Sequence, residues 1–160
     1  MTPAQTSDEP EQAEQQQRAG RATPEYVGFL LAKASQRWNE LLYERFVAAG
    51  FADVRPSYGS ILIPLFEEDG LRMGELAARA RLSKQTMTTM VRLLERDGLV
   101  ERRADPSDGR AALVFLTERA RSFHPVAEAT LTELDRLVAG TLSTETRDDV
   151  QAALRVLADL

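Results

Sequence analysis

The residues best suited to recognition chemistry lie on a predicted helix over residues 84–97, which has two faces of opposite character. One face carries hydrogen-bonding and cationic groups and no acid: Gln85, Thr89, Arg92 and Arg96. The other face is apolar and predicts core packing through Met87, Met90, Val91 and Leu94. In a DNA major groove, arginine can pair with guanine, glutamine with adenine, and a threonine methyl can contact thymine. The polar face therefore predicts a helix that contacts base edges.

The start of the same helix favours contacts with phosphate. Ser83 is a preferred N-cap residue, and the backbone amides that follow it lie at the positive end of the helix dipole, which attracts anions. We therefore predict a DNA-contacting set on this segment that comprises Ser83, Lys84, Gln85, Thr86, Thr88, Thr89 and Arg92.

The neighbouring elements decide how this helix is interpreted. Taken alone, an amphipathic helix with exposed arginines is more often an ordinary solvated helix. Here a short helix and a tight connection precede it and a turn-rich hairpin follows it. That order indicates a winged helix-turn-helix, in which the second helix enters the groove.

Caps, prolines and glycines predict the element boundaries. The helices are expected from Thr23-Pro24-Glu25 to Gly50, from Pro56 to about Asp69, from Gly74 to Ala80, from the Ser83 cap to Asp97, from the Thr117 cap to about Ala139, and from near Ser143 onward. Two strands, Leu99–Arg103 and Ala111–Leu116, are expected on either side of a turn at Asp105–Gly109. Pro64, inside the second helix, predicts either a kink that packing compensates or a break.

Composition excludes several classes of protein. The 160 residues contain no cysteine and a single histidine, so disulfide frameworks, iron–sulfur sites, thiol switches and His/Cys zinc sites are excluded or nearly so. We predict no metal, no cofactor and no enzymatic activity. The net charge of −5 lacks the basic excess that is typical of DNA-binding proteins. Residues 79–110, however, hold eight basic and five acidic residues, and charge near the phosphates is what matters for binding.

No segment predicts export or a membrane span. The N-terminus lacks a basic region followed by an apolar stretch, and the apolar run at 61–66 is far too short to cross a membrane. A cytoplasmic protein without a membrane partner is therefore expected. Residues 1–22 are rich in Gln and Glu and predict a disordered tail, which leaves one domain over 23–160.

The segment Asp105-Pro106-Ser107-Asp108-Gly109-Arg110, with Leu116-Thr117 after it, resembles the wing signature of the MarR family of bacterial transcription regulators. Gly74-Glu75-Leu76-Ala77 and residues 93–100 are similar to the segments that precede the family's wing. The implied fold is mainly α with a small β-hairpin. Its winged helix-turn-helix, at about 56–117, is flanked by dimerisation helices at about 24–49 and 118–159.

The resemblance implies roles for the wing residues. Arg110 would enter the minor groove and Asp108 would help to hold the wing tip. Arg102 and Arg103 alternate in direction along a strand, so one of them is expected to face DNA, and we favour Arg103. The chain also departs from the family pattern. Arg81 stands where glycine is common, which predicts a different turn, and Met73 replaces the usual polar cap of the short helix.

A homodimer is expected on independent grounds. Phe123, Ala127, Thr130, Leu134 and Leu137 follow a 4-3-4-3 spacing, as in a coiled-coil seam, although the same stripe could pack within its own domain. The predicted dimerisation residues are Phe29, Phe123, Leu131, Leu134, Leu137, Leu154 and Leu157. Two recognition helices would then read an inverted repeat of roughly 16–20 bp.

Regulation by a small molecule is a further implication of the resemblance. An aromatic or phenolic inducer could bind a pocket lined by Trp38, Phe46 and Phe66, although such aromatic residues are more often simple core. The functional alternative is a winged-helix module that binds protein and lacks sequence-specific DNA binding. That alternative predicts an acidic or apolar face on the helix at 84–97.

Overall fold

The structure is a computed structural model that describes residues 26–159. The predicted tail at 1–22 and the predicted cap Thr23-Pro24-Glu25 lie outside the described residues. The chain divides into two units between Arg37 and Trp38. Residues 26–37 of the first unit carry exposed apolar side chains, and among them the Lys33 ammonium lies 5.8 Å from the centre of the Phe29 ring.

Six helices and three strands are present in the described residues. Helix α1 (Val27–Ala48) crosses the division between the units. It is followed by a 3-10 turn (Pro56–Tyr58), α2 (Gly59–Glu67), β1 (Leu71–Arg72), α3 (Met73–Arg79), α4 (Lys84–Arg96), β2 (Val100–Asp105), β3 (Asp108–Leu116), α5 (Glu118–Thr141) and α6 (Thr144–Ala158). The predicted class, mainly α with a small β-hairpin, is confirmed, with one further short strand in the sheet.

Glycine and proline signals locate some helix ends correctly and others wrongly. Gly50 and Gly98 follow α1 and α4 with φ of 90° and 70°, the left-handed conformation that ends a helix. Gly140 does not end α5, which continues to Thr141. Pro64 and Pro125 lie inside α2 and α5, so neither breaks its helix. Pro64 is buried among apolar neighbours of α2, and this packing compensates for the hydrogen bond that proline cannot donate.

The sheet has three strands in the order β1-β3-β2, where the sequence predicted a two-stranded hairpin. In the added pairing, Leu71 is opposite Val114 and Arg72 is opposite Leu113. A two-residue strand is too short to show an alternating pattern, so its sequence gave no signal. Gly70 precedes it with φ of 77°, and a Cβ there would lie 2.6 Å from the Phe115 ring.

The core of the second unit joins α2, α3, α4, the sheet and α5, and it contains two of the predicted dimerisation residues. Phe123 is 2% exposed and packs edge-on against Phe46, with ring centres 4.8 Å apart. Leu134 is fully buried in the same chain. Their own core already covers these two side chains, which is the alternative of packing within one domain, and their contact with a partner subunit stays a prediction. α6 contributes no buried side chain.

Arg81, in the connection between α3 and α4, has φ of 51°. The turn therefore keeps the conformation that glycine favours, contrary to the different turn predicted from this substitution. The guanidinium donates to the Ala158 carbonyl oxygen at 2.7 Å and to the Asp159 carboxylate at 2.9 Å.

Replacing Arg81 by glycine should give a protein more stable than the alanine variant, by about 0.5–1 kcal/mol in the free energy of unfolding. Both variants lose the bonds to Ala158 and Asp159, but only glycine adopts a positive φ without steric cost. Urea denaturation of the two variants measures the difference. An alanine variant as stable as the glycine variant would show that the turn is not strained.

Candidate nucleic-acid interface

Helix α4 presents the predicted polar face to solvent. Ser83 caps it, with Oγ accepting a hydrogen bond from the Thr86 amide at 3.1 Å. The exposed members of the predicted set are Ser83, Lys84, Gln85, Thr86, Thr89 and Arg92, and Thr88 is half-buried. The opposite face is buried in the core through Met87, Val91 and Leu94. The structure therefore brings the α4 candidates together on one accessible surface.

The threonine hydroxyls of this surface are bonded locally. Thr88 Oγ1 donates to the Lys84 carbonyl oxygen at 2.8 Å, and Thr89 Oγ1 donates to the Gln85 carbonyl oxygen at 3.1 Å. Each hydroxyl has thereby used its single donor, which leaves its acceptor lone pairs and the methyl for other contacts. Apolar contact with a thymine methyl is therefore a recognition chemistry that remains open to Thr89.

Ion pairs separate the cations of the region into two groups. Arg96 pairs with Asp97, Arg102 with Glu95 and Arg103 with Glu101. By contrast, Lys84, Arg92 and Arg110 have no ion-pair partner among residues 26–159, and all three are exposed. These three residues are the cations available for phosphate or base contacts without breaking an existing pair.

Both arginines of β2 are held by ion pairs with glutamates, including Arg103, which the sequence predicts to face DNA. Arg102 donates from Nε to Glu95 at 2.9 Å and so ties the wing to α4. Arg103 lies on the outer face of the sheet, where its guanidinium is 4.5 Å from the centre of the Phe115 ring and pairs with Glu101. The assignment of Arg103 to DNA stays a prediction, and such a contact requires Arg103 to leave Glu101.

The wing tip has an irregular register. Ala104 pairs with Ala112, but the next residue, Asp105, pairs with Asp108. Gly109 to Ala111 consequently have no partner in β2, and Arg110 lies in the middle of this bulge. Asp108 Oδ1 accepts a hydrogen bond from the Arg110 amide at 3.1 Å, which is a contact of the kind expected for Asp108 in holding the tip.

Asp105 is a buried wing residue that was not among the residues predicted from the sequence to form the interface. It is 6% exposed, and its Oδ1 accepts hydrogen bonds from the Ser107 amide at 2.8 Å and the Ser107 hydroxyl at 2.7 Å. Its Oδ2 pairs with Arg72 at 2.6 Å. The Asp-Pro-Ser sequence carries the local signal, because aspartate commonly bonds the backbone two residues ahead in a turn. The contribution of Arg72 has no local signal.

Hydrogen bonds from Ser107 and the charge of Arg72 hold the pKa of Asp105 below its usual value. A carboxyl whose pKa is lowered by folding stabilises the native state above its unfolded pKa, and this contribution disappears as the pH falls through the folded pKa. The wild type should therefore have a higher free energy of unfolding than Asp105→Asn at neutral pH, and the difference should become small below about pH 4. Urea denaturation between neutral pH and pH 2.5 checks this, and a constant difference would contradict it.

The C-terminal end of α4 is also held by a polar contact. The buried Tyr58 hydroxyl donates to Asp97 Oδ2 at 2.5 Å. Burial raises the pKa of Tyr58, and hydrogen bonds from Arg96 and Tyr58 lower the pKa of Asp97. This contact fixes the end of α4 that lies farthest from the Ser83 cap.

A cavity of about 270 Å³ lies in the second unit and is lined by all three residues predicted for a ligand pocket, Trp38, Phe46 and Phe66. Its lining is mostly apolar, with Asn39, Arg55 and Ser60 as polar members. His124 stacks on Phe66 with ring centres 4.0 Å apart.

In the described part of the chain, no cluster of metal-binding side chains is present. No helix there is long and apolar enough for a membrane span.

Comparison with known sequences identifies relatives. A model of the MarR family matches residues 56–112. The chain is 34% identical over 93 residues to the HTH-type transcriptional repressor Rv2887 of Mycobacterium tuberculosis. This match covers 58% of this chain and 67% of that protein. It is 38% identical over 61 residues to the HTH-type transcriptional regulator TtmR of Methylorubrum extorquens, and that match covers 38% of this chain and 31% of the relative. The chain thus spans about a third of TtmR's length.

Solved structures with a similar fold are also transcriptional regulators. A probable transcriptional regulator from Pseudomonas aeruginosa superposes with a TM-score of 0.71 at 27% identity, covering 83% of this chain and 97% of that chain. The transcriptional repressor CouR, bound to a 23-mer DNA duplex, superposes with a TM-score of 0.70 at 26% identity, covering 84% and 93%. These relatives, together with the winged helix, show that the chain belongs to the MarR family of transcriptional regulators.

Proposed function

We propose that this chain is a sequence-specific, double-stranded-DNA-binding repressor that acts in the cytoplasm as a homodimer. The observation that carries the proposal is the set of exposed cations without ion-pair partners in the described residues, Lys84 and Arg92 on α4 and Arg110 on the wing. Free cations next to hydrogen-bonding side chains are suited to phosphate and base contacts together. The DNA-bound structure of CouR and the description of Rv2887 as a repressor support the same assignment.

The homodimer is proposed from the apolar residues that the chain leaves exposed. Leu131, Leu137, Leu154 and Leu157 on α5 and α6 are between 36% and 52% exposed, and Phe29 of the first unit is 52% exposed. Large apolar groups at this exposure favour burial against a partner. A dimer also supplies the two recognition helices that an inverted repeat requires, with successive major-groove faces about 34 Å apart. We therefore propose an inverted-repeat operator of roughly 16–20 bp.

Release of DNA by a small ligand is the regulatory part of the proposal. The cavity beside Trp38, Phe46 and Phe66 is apolar with a few polar groups, which suits a small aromatic molecule. A ligand there releases DNA only if it binds the DNA-incompetent geometry of the dimer more tightly than the competent one.

Arg110→Ala tests the DNA-binding proposal at the wing. We expect about tenfold weaker binding to duplex DNA with the dimer intact, because the variant loses an exposed cation without an ion-pair partner. Fluorescence anisotropy over a salt titration measures the affinity, and sedimentation measures the assembly. The wild-type affinity should fall steeply with salt. A wild-type protein with almost no duplex binding would instead favour the protein-binding module, and an unchanged affinity of the variant would refute the role of the wing.

A further inference from the structure

Three side chains at the wing tip form a closed set of polar contacts, and one of them comes from outside the hairpin. Arg72 Nη2 pairs with Asp105 Oδ2 at 2.6 Å and donates to Ser107 Oγ at 3.0 Å, while Ser107 Oγ donates to Asp105 Oδ1. We call Arg72, Asp105 and Ser107 the wing clamp. The Asp105 side chain is 5% exposed and the Arg72 side chain is 46% exposed, so the carboxylate of the clamp is shielded from solvent while its guanidinium is partly accessible.

The clamp is needed because the strand ladder does not position Arg110. Gly109 to Ala111 have no partner in β2, so the backbone around Arg110 is not held in register on that side. The remaining constraints are the turn contacts on either side of the bulge, Asp108 with the Arg110 amide and Asp105 with Ser107. Asp105 and Ser107 therefore fix the start of the segment that carries Arg110.

Arg72 connects this turn to the helix-turn-helix. It is the last residue of β1, opposite Leu113, and immediately precedes α3. It occupies the N-cap position predicted for Met73, and its amide donates to the Glu75 carboxylate at 3.1 Å. The backbone of Arg72 is thus anchored in the reading head while its guanidinium binds the wing tip.

We propose that Arg72 is a positioning residue for DNA binding, which acts through Asp105 and Ser107 to set where Arg110 projects from the wing. This inference rests on the proposed DNA-binding function. It differs from a direct role, in which the Arg72 guanidinium itself contacts phosphate, and from a purely structural role, in which its loss only lowers the stability of the fold.

A double-mutant cycle between Arg72→Met and Arg110→Ala separates these roles. We expect Arg72→Met to weaken binding to a duplex about fivefold in the wild-type background and less than twofold in the Arg110→Ala background. Asp105→Asn should behave in the same way without removing a cation, and Arg72→Lys should partly restore binding because it keeps one ion pair. Arg79→Met is the matched control, because Arg79 lies on the adjoining helix α3, is similarly exposed and pairs with Glu68 away from the wing.

The results distinguish the inference from the proposal on which it depends. If Arg110→Ala leaves the affinity for duplex DNA unchanged, the result refutes the proposed role of the wing, on which the inference depends. Suppose that Arg110→Ala weakens binding but Arg72→Met lowers the affinity for the duplex by the same factor in both backgrounds. Arg72 then does not act through Arg110, and the inference is overturned. An effect of Arg79→Met equal to that of Arg72→Met would also overturn it. If thermal denaturation shows that Arg72→Met is not folded, the same double-mutant cycle is measured with Asp105→Asn and with Arg72→Lys.

Discussion

Replacing Arg92 by alanine is expected to lower affinity for the operator and to relax the preference at one base pair by about 1–3 kcal/mol. Arg92 is exposed on the polar face of α4 and has no ion-pair partner in the described residues, so its guanidinium is free to pair with a base edge. Gln85→Ala should relax the preference at a different position, because Gln85 lies two turns closer to the Ser83 cap. Selection of bound duplexes from a random pool with each variant measures both changes.

Arg96→Ala is the matched control for Arg92→Ala. It removes the same side chain one turn further along the same helix, but Arg96 is already paired with Asp97. We expect a smaller effect on base preference than for Arg92. If Arg92→Ala lowers affinity by the same factor for every sequence, Arg92 contacts phosphate only and the assignment of base recognition to it is wrong.

Leu154→Glu is expected to convert the dimer into monomers and thereby to abolish tight operator binding. Leu154 lies on the apolar side of α6, a helix that contributes no buried residue to its own chain, and is 45% exposed. Full burial of a leucine contributes about 1.5–3 kcal/mol, of which somewhat under half is still available at Leu154. The unpaired charge of the glutamate adds a desolvation penalty, and two-fold symmetry makes each substitution count twice. The dimer should therefore weaken by about 3–6 kcal/mol, more than a hundredfold in the dissociation constant. Sedimentation across a concentration series measures the shift.

Val156→Glu provides the matched control on the same helix. Val156 is 69% exposed and lies two residues beyond Leu154, about 200° further around the helix. It should leave the dimer and the operator affinity close to those of the wild type. If Val156→Glu dissociates the dimer and Leu154→Glu does not, the partner subunit binds the other side of α6.

The parts of the interface that could be predicted from the sequence depend on local signals. Ser83 caps α4 because a serine side chain reaches an amide three residues ahead, and Gly98 follows this helix because it tolerates positive φ. The alternation of apolar and polar residues between these two ends then determined which face of α4 is exposed. Each of these effects acts within a few residues, so spacing along the chain was sufficient.

The parts that could not be predicted depend on contacts between distant residues. Arg72 and Ser107 are 35 positions apart and meet only because a two-residue strand pairs with β3. Phe123 follows the spacing of a dimer seam, yet it faces Phe46 in its own core, because spacing identifies an apolar stripe but not what covers it. Arg81 shows a third limit, since its contacts with the end of α6 lie 77 and 78 positions away.

Selection of bound duplexes from a random pool by the wild-type protein is the most direct measurement of the central claim, that the exposed face of α4 and the wing read DNA as a pair of subunits. We predict enrichment of one inverted repeat of roughly 16–20 bp, with half-site centres about one helical turn apart. Enrichment of a site without symmetry would contradict the dimeric arrangement. A pool that binds without any enrichment would contradict sequence-specific recognition itself.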